Sequence, residues 1–359
     1  MTTYLLCGGG TAGHVNPLLA IADRLRRDEA DARIIVLGTA EGLESRLVPE
    51  RGYELVTVEK LPFPRRPNRA ALAFPARLRG VIHGIATLIA ERDVDVVVGV
   101  GGYVAAPAYL AARRARVPIA LHEANARPGM ANRLGSLLTR HVAVAFDGTP
   151  LRHARTVGMP LRAEIESLDR EALRPEAIER FGLDPERRTL LVTGGSLGAQ
   201  RINETIRNTV KELVGTGWQV LHITGERDSS ATAAAMPGYR ALDYCSRMDL
   251  AFAAADLAVS RAGAATVSEL TALGIPAVYI PLAIGNGEQR LNARNAVEAG
   301  AAMLVENAAF TGEWLHAQLL PLMADDATLA AMAAVARRIG VRDGTARMIE
   351  VVHEAGGIR

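Results

Sequence analysis

Along this chain, short unbroken apolar runs alternate with longer segments whose apolar residues recur at helical spacing. "YLLCGG", "ARIIVLG", "YELVTV", "VDVVVGVGG", "PIALHE" and "HVAVAF" mark the first half; "TLLVTGG", "WQVLHITG", "DLAVSR", "PAVYIPL" and "AAMLVE" mark the second. Runs rich in β-branched residues, apolar at successive positions, suit strands buried on both faces, and the helical segments between them supply the cover. The pattern predicts an α/β chain with doubly wound parallel sheets. It breaks once, at the charged, proline-punctuated stretch "VGMPLRAEIESLDREALRPEAIERFGLDPERR", after which the strand–glycine–helix rhythm restarts. Two Rossmann-like domains are therefore expected at about 1–161 and 162–344. The segment of about 345–359 reads as one more amphipathic helix that packs back on the first domain.

Composition narrows the class. The chain has 359 residues, 49% hydrophobic and 22% charged, with a formal net charge of +2. These values fit a folded, two-domain protein and give no general charge that would attract nucleic acid. Cys7 and Cys245 are far apart in sequence, which argues against a disulfide framework and for a reducing compartment. No basic leader precedes "TYLLCGGG", and no run approaches the roughly 18 uninterrupted apolar residues of a spanning helix, so membrane contact without crossing is expected.

The glycines carry the chemistry. Gly8, Gly10 and Gly13 fit G-x-G-x-x-G between a strand and a helix, as Gly99, Gly101 and Gly102 and then Gly194, Gly195, Ser196 and Gly198 stand at two further strand-to-helix turns. Such turns let backbone N–H groups and a helix N-terminus approach an anion, although each alone is also compatible with a tight turn that binds nothing. Three of them over two domains suit phosphate-bearing ligands on both walls of an inter-domain cleft better than one dinucleotide. A nicotinamide enzyme would also want an acid after the second strand, and Glu41 in "TAEGLESR" reads as a solvated helix start. In "SRAGAATVSEL", Gly263, Ala264 and Ala265 open a helix able to hold a diphosphate. Glu269 lies about one turn further on that helix, placed either for a ribose diol or simply in solvent. The polar loop Gly285 to Gln289 follows the next strand, at the edge where open α/β sheets bind ligands.

Taken in order, "CGGGTAGHVNP", "GVGGYVAAP", "LHEAN", "GGSLGAQRIN", "SRAGAATVSEL" and "NGEQRLNA" resemble the MurG family of GT-B glycosyltransferases over nearly the whole chain. The resemblance implies transfer of N-acetylglucosamine from UDP-GlcNAc to the 4-hydroxyl of the muramyl sugar of lipid I, with inversion, giving lipid II and UDP. It implies a donor site built from Thr11, Ala12, Gly13, Asn125, Arg162, Ser196, Cys245 (through its backbone), Ala264, Ala265, Glu269, Glu288 and Gln289. Gly10, Thr11, Gly101, Gly102 and Tyr103 would face the acceptor and its phosphates. His14, in the first turn of its helix, becomes a candidate general base; capping the helix or bonding a phosphate are its other roles. Glu288 stands where a second glutamine is common, and Met159 where asparagine often precedes proline.

No cofactor is required by this reading. Asp93-Val94-Asp95 has the D-x-D form used elsewhere to hold a metal, but it precedes its strand, at the wrong end for a ligand. His122-Glu123 lacks a second metal ligand downstream, so no protein motif for a divalent metal is expected. The stretch "LPFPRRPNRAALAFPARLRG" carries Arg65, Arg66, Arg69, Arg77 and Arg79 without an acid, interleaved with Phe63, Leu72 and Phe74. It reads either as a solvated basic face or as a surface for anionic lipid headgroups, with Arg113, Arg114 and Arg116 extending it. A lipid-tailed acceptor favours the membrane, on the cytoplasmic leaflet where the nucleotide sugar is made, with cell-wall and division proteins as further partners. The rival readings are a GT-B enzyme with another lipid or natural-product acceptor, a UDP-GlcNAc epimerase, a nicotinamide oxidoreductase, and a UDP-sugar-binding module without turnover.

Overall fold

The computed structural model describes residues 1–62, 64, 69–195, 198–225, 236–282 and 287–358. The chain divides into two compact units, Met1–Arg162 with Asp343–Arg359, and Ala163–Arg342.

In the first unit the described strands are β1 (Thr3–Cys7), β2 (Arg33–Gly38), β3 (Glu54–Thr57), β4 (Val96–Gly99), β5 (Ile119–Glu123), β6 (His141–Val144) and β7 (Ala154–Thr156). They form one sheet in the order β3-β2-β1-β4-β5-β6-β7, every pairing parallel. Helices α1 (Ala12–Asp28), α2 (Glu44–Glu50), α3 (Arg69–Glu91), α4 (Ala105–Ala115) and α5 (Met130–Gly135) connect them. Alternation along each strand explains why both faces need cover. Tyr4, Leu6, Val36 and Val98 fill the layer beneath α1, while Leu5, Cys7, Leu37 and Val97 fill the opposite layer with Ile85 and Ile89 of α3 and Tyr109 of α4. Burying each large side chain contributes roughly 1.5–3 kcal/mol. The first layer is completed from far along the chain, by Met348, Ile349, Val351 and Val352 of the C-terminal helix Gly344–Gly356.

The second unit repeats the plan. Strands β8 (Thr189–Thr193), β9 (Gln219–Ile223), β10 (Tyr239–Leu242), β11 (Leu257–Ser260), β12 (Ala277–Tyr279) and β13 (Ala302–Leu304) pair in the order β10-β9-β8-β11-β12-β13, again all parallel. Its helices include α6 (Ala163–Glu166), α7 (Arg170–Phe181), α8 (Gln200–Asn208), α9 (Val210–Gly215), α10 (Met248–Ala254), α11 (Ala264–Ala272) and α12 (Glu288–Glu298). Leu190, Val192, Val259 and Ile280 pack with Ile202, Ile206 and Phe310 in its core.

The strand order reverses next to β1 in one sheet and next to β8 in the other, between β1 and β4 and between β8 and β11. Open α/β sheets bind ligands at such switch points, outside the carboxyl ends of the strands. Each glycine turn singled out in the sequence leaves one of these four strands.

Candidate active site

In the first unit the turn after β1 runs Gly8–Thr11 and feeds α1; the turn after β4 runs Val100–Val104 and feeds α4. The two turns touch. Gly102 has φ +87°, and a Cβ there would sit 2.8 Å from the Gly9 carbonyl oxygen, so backbone meets backbone where a side chain would intrude. His14 is half-buried in the first turn of α1, and its imidazole lies against Gly101, 3.1 Å from where that residue's Cβ would be. Thr11, the α1 N-cap, places Oγ1 3.3 Å from His14 Nδ1. Thr11 makes no side-chain cap to the helix, so amides of the first turn, at Ala12 and Gly13, face outward. Burial pushes the His14 pKa down; the charge of Glu123, the Gly9 backbone and the charge of Glu44 oppose it without overcoming it. The imidazole is therefore held in its neutral, proton-accepting form near neutral pH.

Two carboxylates that the sequence reading gave no role support this turn. Glu123, at the end of β5 and buried, accepts from Asn125 N (2.9 Å), Asn125 Nδ2 (3.4 Å), Gly129 N (3.0 Å) and Asn132 Nδ2 (3.0 Å). Asn132 is fixed in turn by the Tyr109 hydroxyl, which donates to Oδ1 at 2.7 Å. Asn125 is thus clamped at its backbone and side chain. Glu44, at the start of α2, accepts from Gly10 N (2.7 Å), Thr39 N (2.9 Å) and Thr39 Oγ1 (2.8 Å). The Gly10 N–H, one of the predicted phosphate donors, is spent on this internal carboxylate. Tyr103 is 50% exposed beside Gly102, with the Lys60 ammonium 5.3 Å from its ring centre.

In the second unit α11 starts at Ala264 after Gly263, with no side-chain cap, so its first amides are open to an anion. Ala264 is buried, and Ala265 and Glu269 are half-buried on the same helix. Arg261, just before it, donates to the Ile280 and Pro281 carbonyls (3.1 and 3.3 Å) and to Asn307 Oδ1 (2.8 Å), tying the α11 approach to the end of β12. Asn292 of α12 donates to the Ala262 carbonyl at 3.3 Å. Gln289 Oε1 accepts from Leu282 N at 2.9 Å, which leaves its amide group as the donor. Glu288 precedes it at the start of α12 and is half-buried. Cys245 lies beyond β10 in a cavity of about 250 Å³ with Phe181, Tyr244 and Arg247, and burial raises its thiol pKa. Ser196 lies outside the described residues. Arg162 ends the contiguous part of the first unit, half-buried next to Leu161.

Among the described residues no group of three or more His, Cys, Asp or Glu side chains converges as a metal site. Asp95 instead accepts from the Thr3 N–H at 2.8 Å, at the amino end of the sheet.

Phe63, Arg65 and Arg66 lie outside the described residues, and of Arg69 only the backbone, opening α3, is described. Leu72 is 85% exposed, Arg79 is exposed and Phe74 is half-buried. Arg77 pairs with Glu59, so the acid missing from the basic stretch is supplied from just before it. The segment Leu72–Glu91 has a mean hydropathy of 1.2 and is long and apolar enough by composition to span a bilayer. Ile85 and Ile89 nevertheless fix its second half into the core beneath the sheet.

Comparison with known proteins agrees at full length. The family model for the Glycosyltransferase family 28 N-terminal domain matches residues 4–144, and that for the C-terminal domain matches residues 189–348. The UDP-N-acetylglucosamine–N-acetylmuramyl-(pentapeptide) pyrophosphoryl-undecaprenol N-acetylglucosamine transferase of Leifsonia xyli subsp. xyli is 61% identical over 352 residues, covering 98% of each chain. The Streptomyces coelicolor protein of the same description is 51% identical over 354 residues, covering 98% of this chain and 97% of its own. The crystal structure of Acinetobacter baumannii MurG superposes with a TM-score of 0.81 at 27% identity, over 99% of this chain and all of that one. The chain belongs to the MurG family. Its GT-B fold is shared more widely: the UDP complex of Staphylococcus aureus MnaA superposes with a TM-score of 0.71 at 13% identity, over 100% of this chain and 98% of that one, a likeness of fold alone. Of the two buried carboxylates, Glu123 lies within "LHEAN", whereas Glu44 lies in none of the motifs that carry the resemblance.

Proposed function

We propose that this protein transfers N-acetylglucosamine from UDP-GlcNAc to the 4-hydroxyl of the N-acetylmuramyl sugar of lipid I, releasing UDP and lipid II for peptidoglycan synthesis. The relatives' common activity supports the reaction. The observation that carries the chemistry is a neutral imidazole, His14, seated between two glycine turns at a sheet's switch point. His14 takes the proton of the acceptor hydroxyl as its oxygen attacks the anomeric carbon. The bond from that carbon to the diphosphate oxygen breaks on the opposite face, UDP leaves with the electron pair, and the configuration inverts.

The donor roles follow the chemistry of each group. Uncapped amides at Ala264 and Ala265, the Ser196 loop and Arg162 take the growing charge on UDP, so the reaction asks for no protein-held metal. Glu269 accepts from the ribose hydroxyls, and the Cys245 backbone reads the uracil edge. Asn125, Gln289 and Glu288 address sugar hydroxyls, with Thr11, Ala12 and Gly13 at the α1 start. Gly101, Gly102 and Tyr103 face the acceptor, and the first unit carries the acceptor and membrane contacts while the second carries the donor. The exposed stretch of α3 from Leu72 to Arg79 lies on the anionic cytoplasmic leaflet, making the enzyme a peripheral protein there, within reach of the other cell-wall and division proteins.

The test is UDP release from UDP-GlcNAc with and without a short-chain lipid I analogue, beside His14→Ala. Release that needs the acceptor, with a disaccharide product and a loss of roughly 10²–10⁴-fold in the variant, is the expected result. Equal release without acceptor, or donor binding without turnover, would overturn the lipid I assignment.

A further inference from the structure

The buried charge nearest the catalytic turn is Glu44, 1% exposed and used by no step above. Room for it is made by glycines from separate segments: a Cβ at Gly9 would lie 2.3 Å from its Oε1, one at Gly42 2.0 Å from its Oε2, and one at Gly38 2.5 Å from its Cγ. Burial works against the charged form, but hydrogen bonds from Gly10 and Thr39 outweigh it and hold the carboxyl below the ordinary range. A carboxylate thus sits where the first glycine turn would otherwise offer Gly10 N–H to an external anion.

The Gly10 N–H and the Gly9 C=O belong to one peptide group. That group is planar, and its N–H and C=O point in opposite directions. Here the N–H donates to Glu44 at 2.7 Å, and the C=O packs against Gly102, next to the Gly101 on which the His14 ring rests. Rotation of this plane would break both contacts together. We propose that Glu44 is a positioning residue for sugar transfer: it fixes the Gly9–Gly10 peptide plane, and through the Gly101–Gly102 turn packed on that plane it sets the orientation of His14.

This inference rests on His14 acting as the base, and the experiment separates the two. The full-length enzyme and its Glu44→Gln and Glu44→Asp variants are labelled with ¹⁵N-histidine, and the His14 ring is followed by NMR through a pH titration without substrate. UDP release with the lipid I analogue is measured in parallel. Gln keeps the length but presents an NH₂ to at least one backbone donor; Asp keeps the charge but is one carbon too short. Expected in both is a His14 ring whose resonances shift as its seat against Gly101 loosens, with kcat lower by roughly 10–100-fold and KM for UDP-GlcNAc within about twofold. In Glu44→Gln the His14 titration and the acidic limb of kcat also move to lower pH. The charges facing the ring are those of Glu44 and Glu123, and Glu123 remains. His14 ring resonances unchanged in the folded variants, or a kcat unchanged, overturn the proposal. If only the wild type's acceptor-dependent release is missing, the proposed reaction falls while the NMR result still decides the link from Glu44 to His14. Should Glu44→Gln not fold, Thr39→Val removes one hydrogen bond into the carboxylate and is read on the same signals, with a smaller shift in the same sense.

Discussion

His122 donates from Nε2 to the Gly158 carbonyl at 2.8 Å, with its Nδ1 unpartnered among the described residues, and burial pushes its pKa down to about 4. Unfolded, the same ring binds a proton near pH 6.5. Below that value the unfolded chain takes up a proton that the folded chain refuses, so stability present above pH 6.5 is lost as pH falls toward 4. At about 1.4 kcal/mol per pH unit, the loss between pH 6.5 and 5 is about 2 kcal/mol. His122→Gln keeps a donor for Gly158 and cannot titrate. Urea unfolding at the two pH values is expected to show a shallower decline in the variant; parallel declines would remove His122 as the cause. The histidines also mark what could be read in advance. His14 was legible because it follows a glycine turn and begins a helix. Glu44 was not: its burial depends on three glycines that converge only in the fold, and "EGLESR" by itself looks like a solvated surface segment.

At the scale of elements, the central strands were legible because each is apolar at consecutive positions. The edge strands β7 and β10 were not, and were absent from the expected set. Ala154–Thr156 is exposed throughout; backbone pairing with β6 makes it a strand, and Arg155 ties it to Glu350 and Glu354 of the C-terminal helix at 2.9 and 2.8 Å. Short polar edges resist further pairing, which is also why they carry no apolar signal. Helix α3 shows the converse, an apolar signal left largely at the surface. Arg79 makes no ion pair among the described residues, whereas Arg77 is already neutralised by Glu59. Each unpaired arginine near an anionic leaflet contributes about 1 kcal/mol, or roughly fivefold in partitioning. Arg79→Ala is therefore expected to weaken binding to phosphatidylglycerol-containing vesicles more than Arg77→Ala, and Leu72→Asp to weaken it further. Vesicle sedimentation measures this, and equal binding by all three variants would refute a membrane role for this face.

The whole molecule is two sheets of one plan, but only the second is built from continuous chain. The first needs Asp343–Arg359, whose Met348 and Val352 are completely buried in the layer under α1. Removing a buried side chain of that size costs about 2–5 kcal/mol, so losing the helix that carries four of them exceeds what a domain can spare. Truncation after Arg342 is expected to raise hydrogen exchange throughout Met1–Arg162 while leaving Ala163–Arg342 protected. Uniform loss of protection would show the units to be energetically inseparable. The repeat of architecture was legible from the restarted rhythm of strands and glycines; the layer to which the C-terminal helix contributes became visible only with the sheet built. The same feature sets an order of events at the ribosome. Roughly 180 residues separate the two parts of the first unit. At 5–20 residues per second, its nascent sheet waits on the order of 10–40 s for the helix that covers it. The second unit, complete before that helix is made, can be the first to finish folding, so the basic apolar start of α3 emerges on a partner-seeking, half-covered sheet long before the enzyme can turn over.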